Sequence, residues 1–581
     1  MSRSENLSHR LTDLRNRFAA RRAAMTRAAT AFVSQPEPRT IGSFAKGRQL
    51  TAGNYLFAGH LVQKPGAGLW EITPPDQGFT NELHGFTWLD DLAAAGDSSA
   101  RTAAQTWLWQ WIDAFGQGKG PGWTPDLTGR RLIRWINHAI FLLTGQHKDQ
   151  SDAFYLSLAQ QTKFLARRWK ATAPGLPRFE ALTGLIYTGL SLEGMEAHIE
   201  PAAKALDREC LSQIDDQGGL PTRNPEELLE VFTLLTWAAV ALSESGRSPS
   251  EAHWAAIERI GPTLRTLRHS DGGLARFHGG GRGLDGRLDS ALAASGVRGR
   301  KADGLAMGFA RLNAGRTSII VDAACPPSGP ASGNAHASTL AFELTSGRRP
   351  LIVNCGSGSS FDKDWRRAGR ATPSHSTLVV SGQSSSRLGA SVAKQDWLMD
   401  VPTNVPIGIS QAPDGFRFEG GHDGYLENFG LTHIRKLDVT FDGAGMVGED
   451  SLMALDDVAR KQFDRVMDQT QLQGIPFEIR FHVHPDVDIS LDMGGAAVSL
   501  ALKSGEIWIF RGEGSTQIQV EPSVYLEKNR LKPRATKQIV LSGRAMEYAT
   551  RTRWSLAKPA DSPVGIRDLV KDEAFADATD T

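Results

Sequence analysis

The stretch "FHGGGRGLDGRLD", residues 277–289, decides the fold, because the apolar spacing of the chain differs on its two sides. Before it, apolar residues recur every three or four positions in "RTAAQTWLWQWIDAFG" (101–116), "LTGRRLIRWINHAIFLLTG" (127–145), "PRFEALTGLIYTGLSLEGM" (177–195) and "PEELLEVFTLLTWAAVAL" (225–242). That period predicts helices. Gly- and Pro-containing breaks such as "GQGKGPGW" and "DDQGGLPTRNP" separate them, so they read as consecutive helical hairpins. After it come short runs rich in β-branched and aromatic residues, among them "TSIIVDA", "PLIVNCG", "STLVVSG", "LTHIRKLDVTF", "FEIRFHVH" and "EIWIFRG". These predict an antiparallel β domain, a sandwich. No strand precedes "HGGGRG" in a βαβ unit, so it reads as hinge or loop and not as a phosphate cradle.

At 581 residues the chain exceeds one hydrophobic core. The expected division is a basic amphipathic N-terminal helix over 1–40, a helical array over 41–300 and a β-sandwich over 301–581. Sixty-five basic against 64 acidic residues leave a formal charge of +1, which argues against a nucleic-acid partner. Three scattered cysteines, Cys210, Cys325 and Cys355, fit neither a disulfide framework nor a clustered zinc site. No run approaches the roughly 18 apolar residues of a membrane span. In the N-terminal segment Leu11, Leu14 and Phe18 alternate with arginines, without the unbroken apolar stretch of a secretory signal. Its apolar stripe is expected to dock on the next domain, with contact to an anionic membrane surface as the alternative. Ten of the 14 tryptophans lie in the helical half, where they either pack helices or offer indole faces to sugars.

In "GNAHASTLAFELTSG", from Gly333, a strand starting at Ala335 would put His336, Ser338, Leu340, Phe342 and Leu344 on one face. An imidazole then leads an apolar row. Further along, "GLPRFEAL", "GGLPTRNPEELLE", "RHSDGGLARFHG", "NAHASTLAFELTSGRRPLIVNCG", "ATPSHSTLVVSG", "HDGYLENFGLTHIRKL" and "FEIRFHVHP" follow one another in an order that resembles the heparinase II/III-like polysaccharide lyases, in the branch found widely in Gram-negative bacteria.

That resemblance implies an N-terminal (α/α) toroid joined to a C-terminal β-sandwich. It also implies β-elimination at uronic acid residues, which needs a group that neutralises the carboxylate, a base for the C5 proton and an acid for the leaving oxygen. The family's usual residues are replaced here. Arg178-Phe179 stand where an Asn-His pair is common, and Glu227 falls near the family's tyrosine. Asn334 takes the place of the catalytic histidine, while His336 matches the second one, a metal ligand in some members. The corresponding set here is His336, Asn354 and His375, without the carboxylate that offsets a zinc charge, so no cofactor is required and zinc is a secondary expectation.

The candidate catalytic residues are therefore His336, His375, Tyr425 and Arg178, with His336 and His375 also the candidate metal ligands. Candidates for binding an acidic polysaccharide are Arg134, His138, Arg223, Asn224, Asn334, Trp365 and Arg366, with Arg130, Arg131, Arg367 and Arg370 nearby in sequence. His422 and His433 neighbour Tyr425, and His482 and His484 share a strand face as a polar-face pair. The expected function is cleavage of an acidic glycan. The alternatives are a non-catalytic glycan-binding or envelope assembly protein on the same fold, or a hydrolase using Glu180 and Glu227. Family resemblance implies the cell envelope or periplasm, and the lack of a visible signal leaves the cytoplasm as the alternative.

Overall fold

The computed structural model describes residues 3–26, 31–34, 38–299, 304–392, 395–513, 516–528, 530–559 and 568. Two compact units emerge: Met1–Leu220 with Glu227–Gly261 and Gly286–Gly299, and Pro221–Glu226 with Pro262–Asp285 and Arg300–Thr581. The second thus takes two short stretches out of the helical half of the sequence, one of them carrying most of the glycine-rich segment.

The first unit consists of the expected helical hairpins. Its longer helices are Ser98–Phe115, Pro125–Asn137, Lys148–Arg168, Leu176–Ser191, Ile199–Gln213 and most of Pro225–Glu244 and Glu251–Thr266. Asp97 starts one of them by accepting the Ala100 N–H, a side-chain cap for an otherwise orphaned donor. Helices Pro125–Asn137 and Leu176–Ser191 approach closely because each presents a glycine: a Cβ on Gly129 would lie 2.3 Å from the Glu180 carbonyl oxygen, and one on Gly184 would lie 2.6 Å from the Gly129 Cα. Gly129→Ala is accordingly expected to push these backbones apart and cost about 2–3 kcal/mol, read as a lowered denaturant midpoint.

Aromatic rings fill the interior. Trp88, Trp111 and Trp135 are fully buried around Phe86, with Trp111 and Trp135 meeting edge to face at 5.4 Å. These indoles pack helices and present no face to a sugar. A hairpin, Asn54–Phe57 with His60–Gln63, interrupts the helices unannounced by the periodicity.

The N-terminal helix runs over Arg3–Ala23, and here the docking expectation is corrected. Asn16, Ala19, Ala20 and Ala23 are the buried residues, whereas Leu11, Leu14 and Phe18 face outward. Small side chains let this helix lie close to helix Lys148–Arg168, where Arg168 Nε donates to Asn16 Oδ1 at 2.7 Å.

The second unit is a sandwich of two antiparallel eight-stranded sheets, with two further strands, Arg387–Val392 and Gln395–Met399, pairing separately. One sheet runs, edge to edge, Ile407–Ala412, Gly415–Tyr425, Leu431–Thr440, Gly445–Met453, Ala549–Ala557, Ile507–Gly512, Ala497–Leu502, Val487–Asp492. The other runs Gln517–Tyr525, Arg534–Ala545, Ile475–Val483, Arg349–Val353, Phe342–Ser346, Thr317–Asp322, Phe309–Ala314, with Leu378–Val380 also on Ile475–Val483. Phe342 and Phe481 from one sheet meet Phe510 and Trp554 from the other, Phe481 and Trp554 at 4.7 Å. A 13-residue helix, Asp457–Gln469, also lies within the β half; Ala459, Phe463, Val466 and Met467 recur at helical spacing and are its buried side.

Strand Leu431–Thr440 alternates as expected, yet its buried set is Leu431, His433, Arg435, Leu437 and Val439. A guanidinium and an imidazole thus enter the core. Asp450 on the next strand receives both Arg435 Nε (2.8 Å) and Nη2 (3.1 Å), His433 Nε2 (2.7 Å) and Trp554 Nε1 (2.9 Å). Burial opposes ionisation of Asp450, but Arg435 and His433 outweigh it and hold the carboxyl far below its ordinary value.

Candidate functional site

The strand expected from Ala335 does not begin there. Residues 329–334 form a 3-10 turn, the regular strand starts only at Phe342, and everything from Ala335 to Ser346 is buried. The intervening segment is held by bonds to other parts of the second unit, Ala337 N–H to Arg370 O (2.8 Å) and Leu340 N–H to Asp322 O (2.8 Å), and by an internal turn, Ala341 N–H to Ser338 O (2.8 Å). Leu340 adopts φ 63°, so the two-residue alternation is lost before the strand starts.

His336 sits inside a chain of hydrogen bonds. His375 Nδ1–H donates to the Ala371 carbonyl (2.9 Å), which leaves His375 Nε2 as the acceptor of His336 Nδ1–H, also at 2.9 Å. The His336 backbone N–H donates to His278 Nδ1 (3.2 Å), so the proton of that ring is on Nε2, 3.4 Å from Asp322 Oδ2. Burial, then the neighbouring His375, His278, Arg370 and Arg276, push His336 well below the ordinary imidazole value. Burial likewise lowers His375 to about 4. The one lone pair His336 keeps free of these bonds, on Nε2, therefore belongs to a weak base.

The two imidazoles do not form a metal site. Their nitrogens point at each other across a hydrogen bond, whereas ligands of one tetrahedral zinc, each about 2.0–2.1 Å from the metal, would point at a common centre. Asn354 Oδ1 is already accepting the Ser376 N–H at 2.9 Å. Among the described residues no group of three or more His, Cys, Asp or Glu is arranged to hold a metal ion. The donor set does not fit zinc.

Asp322 is the centre of this cluster. Its carboxylate accepts Arg223 Nη2 (2.6 Å) and Ser338 Oγ (2.7 Å). Arg223 spends its remaining donors on the carbonyls of Met307, Gly308, Ala324 and Cys325. Expected as a substrate contact, Arg223 instead clasps four carbonyls and a buried carboxylate. Asn224 is buried too and caps the following helix, its Oδ1 accepting the Glu226 N–H at 3.0 Å.

Tyr425 is at the end of its strand with its hydroxyl donating to Leu378 O (2.9 Å), and burial raises its phenol above the ordinary value. Its neighbours are occupied as well: His422 Nε2 faces His433 Nδ1 at 3.2 Å. The polar-face reading of His482 and His484 is corrected, since both are buried. His482 holds Ser523 Oγ (2.8 Å) and Pro373 O (3.0 Å), and His484 packs edge-on against Tyr525.

Three binding candidates do come together on the surface of this unit. Arg366 Nη2 donates to Gly333 O (2.8 Å) and Asn334 Oδ1 (3.1 Å), and half-buried Trp365 precedes it on the short helix Lys363–Ala368. Arg367 is exposed beside them, while Arg370 is buried and bound to Ala335 O and Ser332 O.

In the first unit, Arg178 donates to Glu209 Oε2 (3.2 Å) and Thr172 O (2.7 Å). Glu180 receives Arg130 bidentately at 2.8 and 2.9 Å, which ties up one carboxylate of the hydrolase alternative. Arg131 is fully buried over the Trp111 ring. Arg134 and His138 converge on Asp90 at 3.1 and 2.9 Å, and Thr40 Oγ1 completes the set 3.1 Å from His138. Burial disfavours the Asp90 charge, but Arg134 and His138 hold it below its ordinary value. Asp90 also lines a cavity of about 250 Å³ with Thr40, Trp237, Arg287 and Ser290. Arg134 and His138 thus stand next to a cavity through Asp90, a residue the sequence reading missed because the Asp pair in "WLDDLAAAG" belongs to no motif.

Comparison with known proteins bears on all of this. Residues 297–555 match the family model "Heparinase II/III-like, C-terminal". A curated relative, "FtsZ-localized protein C" of Caulobacter vibrioides (strain NA1000 / CB15N), is 30% identical over 533 residues, covering 90% of this chain and 89% of that protein. Among solved structures, a heparinase III matches with a TM-score of 0.66 at 14% identity, covering 93% of this chain and 89% of the other. A heparan sulfate lyase HepC mutant from Pedobacter heparinus matches with a TM-score of 0.58 at 14% identity, covering 93% and 87%. At such identities the structures establish a common fold, with helices in the N-terminal region and antiparallel sheets in the C-terminal region.

Proposed function

The chain belongs to the heparinase II/III-like family, and we propose that it uses this lyase-like fold as a non-catalytic binding module that localises with FtsZ, not as a β-eliminating enzyme. The observation carrying this reading is the state of His336: 1% exposed, its ring proton committed to His375, and its basicity depressed by burial and four cationic or imidazole neighbours. A general acid or base must come within about 2.6–3.2 Å of the proton it moves and titrate near the working pH. Tyr425, with a buried and donated hydroxyl, supports the same reading. The association with FtsZ rests on the name of the Caulobacter relative. An acidic glycan remains a proposed partner, at the accessible Asn334, Trp365 and Arg366, where a carboxylate would meet a guanidinium. No zinc enters this reading.

The test pairs chemistry with location. Purified protein incubated with a panel of uronate polysaccharides is expected to give no far-ultraviolet absorbance from unsaturated product, while a fluorescent fusion coincides with FtsZ in cells. His336→Ala is expected to lower stability by about 1–3 kcal/mol, since it strands His375 Nε2, and to leave glycan affinity per folded molecule unchanged. An absorbance rise that His336→Ala abolishes at unchanged stability would restore the enzymatic reading, as would a fusion that ignores FtsZ while the protein cleaves glycan.

A further inference from the structure

We propose that the first unit holds a ligand site of its own, the cavity lined by Asp90, Thr236 and Trp237, and that it binds an uncharged polyol the size of one sugar ring. Segments far apart in sequence build it. Arg39 and Thr40 come from the stretch ahead of helix Phe44–Thr51, Asp90 from helix Trp88–Ala95, Thr236 and Trp237 from helix Pro225–Glu244, and Arg287 opens helix Arg287–Ser295. The family resemblance puts substrate elsewhere, at Arg178, Arg223 and Asn224, where helices begin. Thr236 and Trp237 follow Asn224 by 12 and 13 residues, about 18–20 Å along the helix. Nor does this site depend on the FtsZ reading.

Charge selects the ligand class. Arg39, Asp90 and Arg287 are the charged side chains among the described residues lining the cavity, and each is already balanced. Arg39 Nη2 holds Glu244 at 2.6 Å, Arg287 Nη2 holds Glu230 at 2.5 Å, and Asp90 receives Arg134 and His138. A uronate or a phosphate would therefore find no unmatched cation, and would face the Asp90 carboxylate, which its two partners keep ionised. Hydrogen-bonding capacity remains. A guanidinium has several N–H donors and a carboxylate about four acceptor positions, more than these pairings use. Donors on two walls and an acceptor on a third suit hydroxyl groups, which both give and take a proton.

Thr236 supplies the independent observation. It is 1% exposed, and its Oγ1 has no hydrogen-bond partner among the described residues. Thr233, one turn earlier on the same helix, instead returns its hydroxyl to Leu229 O at 2.7 Å. A buried hydroxyl left unmatched is costly, and a ligand hydroxyl at this wall removes the cost. Beside it the buried indole of Trp237 offers an apolar wall for the C–H face of a ring. At about 250 Å³ the cavity is smaller than the roughly 300–1,000 Å³ of drug-sized sites, so it takes one ring and not a chain. Arg134 and His138 act here as positioning residues, through Asp90.

Saturation-transfer NMR and titration of the full-length protein with glucose, mannose, galactose and myo-inositol, beside glucuronate and glucose 6-phosphate, test this. At least one of the four uncharged compounds is expected to bind with a Kd of about 1 mM or below, and about 10-fold more tightly than either charged one. Thr236→Val keeps the shape and removes the hydroxyl. It is expected to weaken that binding about 10-fold and to leave the thermal melt of the unliganded protein unchanged, because no bond is lost. Thr236→Ser, which restores the hydroxyl, is expected to bind as the wild type does, and Arg287→Gln to bind about 10-fold more weakly. No binding of any of the four, or equal or tighter binding of glucuronate or glucose 6-phosphate, would overturn the proposal. So would binding that Thr236→Val and Arg287→Gln both leave unchanged, which would put the ligand elsewhere on the protein.

Discussion

Asp322→Ala is expected to destabilise the protein by about 3–5 kcal/mol, more than the loss of His336. The carboxylate is fully buried and balances the Arg223 guanidinium at 2.6 Å, the Ser338 hydroxyl at 2.7 Å and, at 3.4 Å, the His278 ring. Removing it leaves an uncompensated buried cation, which costs more than the bond itself was worth. Arg223 cannot swing into solvent to escape, because its other donors hold the carbonyls of Met307, Gly308, Ala324 and Cys325. The same aspartate fixes the tautomer of His278, which in turn accepts the His336 N–H, so the variant should also disorder the segment from Ala335 to Ala341. Urea unfolding of wild type and variant measures the difference. A loss below about 1 kcal/mol would mean that the four carbonyls alone satisfy Arg223.

This cluster also explains what could and could not be read from sequence. The change of apolar period across residues 277–289 reports which residues face a core, and it located the helical and β halves directly. Burial of His336 is a different kind of property. It depends on His278 and His375, 58 and 39 positions away, and on an Arg370 carbonyl that turns the backbone before the strand begins. Alternation in "NAHASTLAFEL" had no access to those partners and extended the strand too far. Arg223 and Arg435 were similarly opaque. An arginine within reach of a glycan and one that closes a core read alike until Asp322 and Asp450 are brought opposite them. At the N-terminus, hydrophobicity pointed to the leucines as the docking face, but close helix packing selected the alanines.

Lowering the pH from 7 to 5 is expected to remove several kcal/mol of stability, and the direction follows from the histidines. Burial lowers His375 and His482 to about 4 in the folded protein, and pushes His336 and His422 well down in the same sense. In the unfolded chain these rings bind a proton near pH 6.5. Their neutral, buried state is therefore matched by the unfolded chain only above that value, and below it the unfolded state takes up protons that the folded state refuses. At pH 5 His375 and His482 each contribute a loss of about 2 kcal/mol, at about 1.4 kcal/mol per pH unit. Asp322 and Asp450 act separately and later: their folded values are depressed, so the stability they contribute is present above about pH 4 and disappears only below it. Urea midpoints between pH 7 and 5 should fall steadily, with net proton uptake on unfolding, and His482→Gln should flatten the slope. A flat profile would mean that one or more of these imidazoles is charged in the folded protein and matched by an anion. That result would count against the non-catalytic reading as well, because an imidazole that exchanges protons near neutrality is what elimination chemistry requires.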